Sequence, residues 1–151
     1  MKIRRIRASD KEEIMLITKA LPQWFTARGR KYIRQALNKH DGFVAYKKHI
    51  LGFALYRKWK IIGELTWIGV LPEYHRKGIG TALVRSVEKE LKKGGVEKVK
   101  VATLAQTVRY EPYERTRKFY SNMGFEYHKI NKNFYKDKGE RLDRLVLIKN
   151  L

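Results

Sequence analysis

The segment Leu65-Thr66-Trp67-Ile68-Gly69-Val70-Leu71-Pro72-Glu73-Tyr74-His75-Arg76-Lys77-Gly78-Ile79-Gly80-Thr81 constrains this chain more than any other. It reads as an apolar strand stopped by Pro72, a basic turn, and a helix opened by glycines at 78 and 80. The first N–H groups of such a helix have no intrahelical partner, and the helix dipole adds partial positive charge there. Glycines at 78 and 80 remove side chains that would hold a phosphate away from the backbone, and His75, Arg76 and Lys77 add donors. The junction is therefore suited to a pyrophosphate. A Rossmann fingerprint needs a third glycine, and a P-loop needs Gly-Lys-Ser/Thr after a longer gap; neither is present. The glycines alone are equally explained as a chain turn. Strand, proline, three basic residues and helix together favour a binding site.

The rest of the chain organises around this junction as a mixed α/β domain over 1–151. Lys2 to Arg7 alternates as a strand does, and Ser9 with Glu12 forms a capping-box pattern for a helix bearing Ile14, Ile17 and Leu21. A second helix is predicted from near Thr26 to about Lys39, with Ile33, Ala36 and Leu37 inward. Strands over Phe43–Tyr46, Ile50–Lys58 and Ile61–Val70 have short connections and read as an antiparallel meander. Ile79, Leu83, Val87 and Leu91 recur on one helix face until Gly94-Gly95, and Val96–Thr103 is then a strand parallel to the preceding one. A helix near Tyr113–Asn122 and strands over Phe125–Phe134 and Leu142–Ile148, around a Lys136–Glu140 turn, close the order β-α-α-β-β-β-α-β-α-β-β. The expected sheet has six to seven mostly antiparallel strands flanked by about four helices.

Charge narrows the class less than it first promises. There are 35 Lys+Arg against 15 Asp+Glu, a net +20, which invites a nucleic-acid-binding reading. The excess is spread, with 20 basic and 8 acidic residues in 1–90 and 15 and 7 in 91–151, and no zinc-finger, RRM or KH signature accompanies it. A spread excess reads as solvated surface. There is no cysteine, so disulfides, thiolate metal sites and a cysteine nucleophile are excluded. Uncharged stretches such as Leu65 to Pro72 are too short to span a bilayer, and no apolar signal core follows the basic start. A cytoplasmic protein without a membrane partner is the expectation.

With Val70, Pro72, His75, Gly78 and Gly80 in place, the sequence resembles the GNAT superfamily of N-acetyltransferases, whose acetyl-CoA signature is V-x-P-x-x-[Q/R]-x-x-G-x-[G/A]. His75 replaces the usual Gln or Arg. Phe119-Tyr120-Ser121-Asn122-Met123-Gly124-Phe125 matches a second block of the family, and Tyr113 stands where many members have Asn. The resemblance implies the GNAT fold, a sheet that splits beyond Val70, acetyl-CoA as acetyl donor, and an amine acceptor of unspecified identity. It implies pantetheine contacts from the strand ending Ile68-Gly69-Val70 and pyrophosphate contacts from His75, Arg76, Lys77, Gly78, Ile79, Gly80 and Thr81, with Phe119 also against the cofactor. The resemblance further implies a homodimer as a partner.

Two residues are candidates for catalysis. Without a cysteine, direct attack by the amine in a ternary complex is the simpler route, and a base is needed because such amines titrate near about 10.4. Glu64 lies eleven residues before His75, where some family members carry a general base, in an otherwise apolar strand; alternatively it is an exposed edge residue paired with Lys60. Tyr120 occupies the position of the family's thiolate-protonating tyrosine; alternatively it is a core aromatic beside Phe119 and Phe125. His40, His49 and His128 have no metal-ligand spacing and read as surface or satisfied polar residues. Trp24, Phe25 and Tyr32 lie where the family builds one wall of the acceptor cleft, the Tyr110–Tyr113 loop borders it or simply packs, and Arg28, Arg30, Lys31 and Arg34 read as a solvated face. A nucleic-acid-binding module and a GNAT-fold CoA sensor without turnover are the competing functions.

Overall fold

The computed structural model describes residues 1–151. Seven strands form one sheet in the order β1-β2-β3-β4-β5-β7-β6: β1 Lys2–Arg5, β2 Asp41–Lys47, β3 His49–Trp59, β4 Ile62–Val70, β5 Lys98–Leu104, β6 Glu126–Asp137 and β7 Glu140–Asn150. Every pairing is antiparallel except β4 with β5, which the intervening helix makes parallel. The helices are α1 Lys11–Lys19, α2 Ala27–Ala36, α3 Ile79–Lys93 and α4 Glu111–Asn122. The expected order of elements is present throughout.

Alternation along the central strands builds two cores. On β3, Phe53 and Leu55 face one side with Ile14, Ile17, Leu21 and Ile33 of α1, α2 and their connection; Ala54 and Tyr56 face the other with Leu83, Val87 and Leu91 of α3. Phe53 is fully buried against Gly69 of β4, where a Cβ would stand 2.8 Å from its ring. Only glycine fits that close approach.

Two features of β4 depart from a regular strand. Register shifts between Leu55 and Tyr56 of β3, leaving Thr66 of β4 without a partner, a β-bulge in mid-strand. The parallel pairing with β5 covers only Ile62–Glu64 against Lys98–Lys100. The sheet therefore parts after Glu64, well before Val70 where the sequence reading put the split. Beyond that point β4 keeps only its bonds to β3: Leu71 N donates to Leu51 O, and alternation turns the backbone groups of Ile68 and Val70 into the gap.

Element ends move for identifiable reasons. The first helix is preceded by a single 3₁₀ turn, Ala8–Asp10, so Asp10 and not Ser9 stands at its N-terminal boundary. The Asp10 side chain makes no cap bond to α1, and its carboxylate instead accepts from Arg7 N at 2.7 Å and from both terminal nitrogens of Arg4 at 2.8 and 3.0 Å. Thr26 caps α2 as expected, accepting from Gly29 N at 3.0 Å, but regular helix stops at Ala36. The final hairpin is longer than its apolar residues indicated, with β6 reaching Asp137 and β7 starting at Glu140.

Arg4 and the Arg7 amide hold the Asp10 carboxyl below the ordinary carboxylate range, through the Arg4 hydrogen bonds first. A carboxylate with a lowered folded pKa contributes stability above its unfolded value, and that contribution is lost as pH falls through the folded value. Asp10→Asn should cost about 1–3 kcal/mol at neutral pH. The penalty should shrink once pH drops below about 4, as read by urea denaturation at several pH values.

Candidate active site

The gap between β4 and β5 opens into a cleft of about 1980 Å³ that passes through the sheet and is lined from both of its faces. On the α3–α4 face lies the strand-to-helix junction. Ala82 N donating to Gly78 O is the first intrahelical bond of α3, so the N–H groups of Ile79, Gly80 and Thr81 remain free at the helix start. Gly78 is left-handed at φ +80° with nothing near its missing side chain, so glycine is required there by backbone conformation. Arg76 is also left-handed at φ +61°, a strained setting for a residue with a Cβ, and with Gly78 it folds the loop back before the helix. At Gly80 a Cβ would meet the Phe119 ring at 3.4 Å, an ordinary contact. Phe119 thus backs the junction from α4.

The basic residues divide their tasks. His75 donates from Nε2 to Val70 O at 2.7 Å, tying the loop to the end of β4, and its ring meets Trp24 edge-on. Lys77 turns its ammonium over the Tyr74 ring, 5.5 Å from the centroid, and does not line the cleft; its backbone is what it offers the junction. Arg76 lines the cleft itself. Thr103 of β5 adds a buried hydroxyl without a partner on the opposite bank.

The two catalytic candidates both line the cleft. Tyr120 is at once a core aromatic, edge-to-face with Phe119 and Phe125, and a cleft residue; burial pushes its phenol well above the ordinary range, so it holds its proton. Glu64 is not paired with Lys60. Its Oε1 accepts from Arg57 Nε at 2.7 Å across the β3–β4 pair, and Oε2 stands 3.7 Å from Lys100 Nζ across the parallel pair. The carboxylate is mostly buried, at 16% side-chain exposure, but it is flanked by cations instead of apolar groups. The isolated setting expected from its apolar strand is absent.

Three residues acquire roles that spacing did not reveal. His40, read as peripheral, lies in the cleft with Nδ1 2.9 Å from Thr66 Oγ1, and burial together with the Arg57 charge holds it below the ordinary imidazole range, hence neutral at neutral pH. Trp24 donates from Nε1 to Thr116 Oγ1 at 3.1 Å and Pro112 O at 3.2 Å, and Tyr113 returns a bond to Trp24 O at 2.9 Å. With Tyr110 donating to Gln23 O at 2.7 Å, these bonds fasten the α1–α2 connection to the start of α4 across the cleft. Tyr113 is therefore committed to this bridge, and burial pushes its phenol up to about 12. Arg34 pairs with Glu12, as a solvated face requires, whereas Arg28 and Arg30 line the cleft. No sequence signal marks these roles, because each depends on a partner at least twenty residues away.

A family model described as the acetyltransferase (GNAT) family matches residues 6–125. The chain belongs to the GNAT acetyltransferase family. Solved GNAT structures overlay almost the whole chain: a GNAT-family protein of Desulfovibrio desulfuricans superposes with a TM-score of 0.86 at 20% identity, covering 99% of this chain and 98% of that one. The ribosomal-protein-S18-alanine N-acetyltransferase of Escherichia coli gives 0.78 at 20% identity, with 99% and 92% covered. An Elizabethkingia anophelis GNAT acetyltransferase with acetyl-CoA bound gives 0.76 at 20% identity, with 99% and 97% covered. No curated protein matches the sequence. At these identities the structures establish the GNAT fold, and acetyl-CoA is the donor the family uses.

The residues present fit that donor. Free N–H groups opening α3, the outward-turned backbone of Ile68, the Val70 N–H and Arg76 all line this cleft. Gly80→Asp adds a negative charge at the helix start and should abolish acetyl-CoA binding in calorimetry. Gly80→Ala, whose Cβ only touches Phe119, should bind within a few-fold of wild type.

Proposed function

We propose that this GNAT acetyltransferase transfers the acetyl group to a primary amine by direct attack within a ternary complex. The observation that carries the reading is the single cleft that joins the junction on one sheet face to Glu64 on the other, with Tyr120 on its wall. Acetyl-CoA, when bound, supplies an acetyl thioester whose sulfur needs a proton on departure.

Each remaining task falls to a residue of the chain. The helix start at Ile79, Gly80 and Thr81, with Arg76, holds negative phosphate oxygens. Unpaired N–H groups of Ile68 and Val70 pair with an extended amide-bearing arm and present donors to a carbonyl oxygen as negative charge develops there. Glu64 takes a proton from the acceptor amine. Its Oε2, only distantly approached by Lys100, is the oxygen open to the amine or to a bridging water. Tyr120 Oη gives its proton to the departing sulfur. No cysteine exists to carry the acetyl group covalently.

Tyr120→Phe and Glu64→Gln should each fold and bind acetyl-CoA with wild-type affinity, yet lower turnover by about 10²-fold or more, the usual worth of a positioned acid or base. Release of free thiol from acetyl-CoA, followed across a panel of amines, measures this. Full turnover in both variants would remove the assigned roles. Tight acetyl-CoA binding with no thiol release from wild type on any amine would point instead to a sensor. Retention of RNA at physiological salt without acetyl-CoA binding would favour the nucleic-acid module.

A further inference from the structure

Resting on the transferase reading above, we propose that the acceptor carries its amine beside a carboxylate or phosphate, and that the α2 face of the cleft recognises this anion. That half of the cleft is lined by Arg28 and Arg30 of α2, Lys39 just beyond it, Arg57 of β3 and Arg144 of β7, and Lys136 and Lys138 line the cleft from the end of the β6–β7 hairpin. Only Glu64, Asp137 and Glu140 oppose them. Glu64, the acid on the floor, is bonded by Arg57 through Oε1, with Lys100 3.7 Å from Oε2. Arg28, Lys39, Lys136 and Lys138 enter none of the ion pairs of the chain. His40, being neutral, neither adds to the charge nor offsets it.

An amine arrives mostly as a cation, since an alkyl amine has an ordinary pKa of about 10.4 and a peptide N-terminus one of about 8. Entering a walled cleft of the same sign inside a molecule of net charge +20 is opposed, because low-dielectric walls focus the field. An acceptor with an anion near its amine removes that repulsion and gains attraction, whereas a polyamine or a lysine-rich segment meets repulsion at every approach. The phosphates of the donor do not neutralise this half, because the junction that holds them lies on the opposite sheet face.

Arg144 is a recognition group fixed on two sides. Its Nε donates to Asn131 Oδ1 at 3.1 Å, and its guanidinium lies 3.8 Å over the Phe134 ring. Both terminal nitrogens remain for an oxyanion, the fork geometry that suits a carboxylate or phosphate. Lys136 and Lys138 flank the hairpin tip on either side of Asp137 and supply charge rather than geometry.

The test measures kcat/KM by thiol release from acetyl-CoA. One arm uses two peptides with the same free N-terminal residue, followed by Asp-Glu or by Lys-Arg. The other arm uses small amines, O-phosphoethanolamine and glutamate against spermidine. We expect at least a tenfold preference for the anionic member in one arm, and the arm in which it appears identifies a peptide or a small molecule. The preference should weaken at about 1 M salt, where the Debye length is about 3 Å. Arg144→Gln should raise KM for the preferred acceptor about tenfold with kcat little changed. Lys136→Glu with Lys138→Glu should shift the preference toward the cationic member, and both variants should retain wild-type acetyl-CoA affinity, which also reports folding. Turnover without preference, preference for the cationic members, or an unchanged ratio in the variants overturns the anionic acceptor while leaving the transferase intact. Acetyl-CoA binding with no thiol release in either arm overturns the transferase reading, and this inference with it.

Discussion

The parting of β4 from β5 after Glu64 is the constraint on which the rest of the molecule depends. Parallel neighbours joined through a helix ordinarily stay paired along their length, because unpaired backbone in a sheet interior is costly. Here the bulge at Thr66 increases the local twist and carries the second half of β4 away from β5. The same separation exposes the backbone of Ile68 and Val70, opens a passage through the sheet, and lets Tyr120 of α4 approach the gap. Gly69 permits the bend on the other side, since Phe53 occupies the space a Cβ would need. The bulge, the glycine and the split are one device, and the site is the place where regular pairing stops.

Electrostatics divides this passage into two unlike halves. On the α3–α4 face, fixed backbone dipoles and free N–H groups gather at one helix start, a local arrangement that persists in salt better than dispersed side-chain charge. On the α2 face, the charge is carried by long side chains from separate elements, with Glu64 held by Arg57 on one oxygen and approached by Lys100 on the other. On our proposal the net +20 therefore bears on what approaches the acid on the floor more than on the junction at the start of α3.

Much of the frame was legible because it rests on local rules. The apolar period of Ile79, Leu83, Val87 and Leu91 makes α3, the short connections make the β2–β3–β4 meander, and the helix between β4 and β5 makes that pair parallel. The His75-Arg76-Lys77-Gly78 turn was legible as the break between strand and helix for the same reason. What escaped were partnerships formed across the chain. Ser9 matched the capping-box pattern, yet a 3₁₀ turn moved the boundary of α1 to Asp10, whose carboxylate is drawn back to Arg4 of β1. Glu64 was expected among apolar neighbours, yet the register placed Arg57 and Lys100 on either side. Tyr113 stood at a family cofactor position, yet Trp24 of the α1–α2 connection claimed its hydroxyl.

The sequence by itself determined which segments are strands and helices, the parallel crossover at α3 and the glycine-bearing turn that opens it, because hydrophobic period, glycine placement and helix-start chemistry act over a few residues. Tertiary structure alone decided where the sheet opens, which cations neutralise Glu64, that His40 belongs to the cleft and that Trp24 bridges to α4. Those outcomes depend on strand register and on side chains meeting across 7 to 92 positions, distances over which no local pattern carries information.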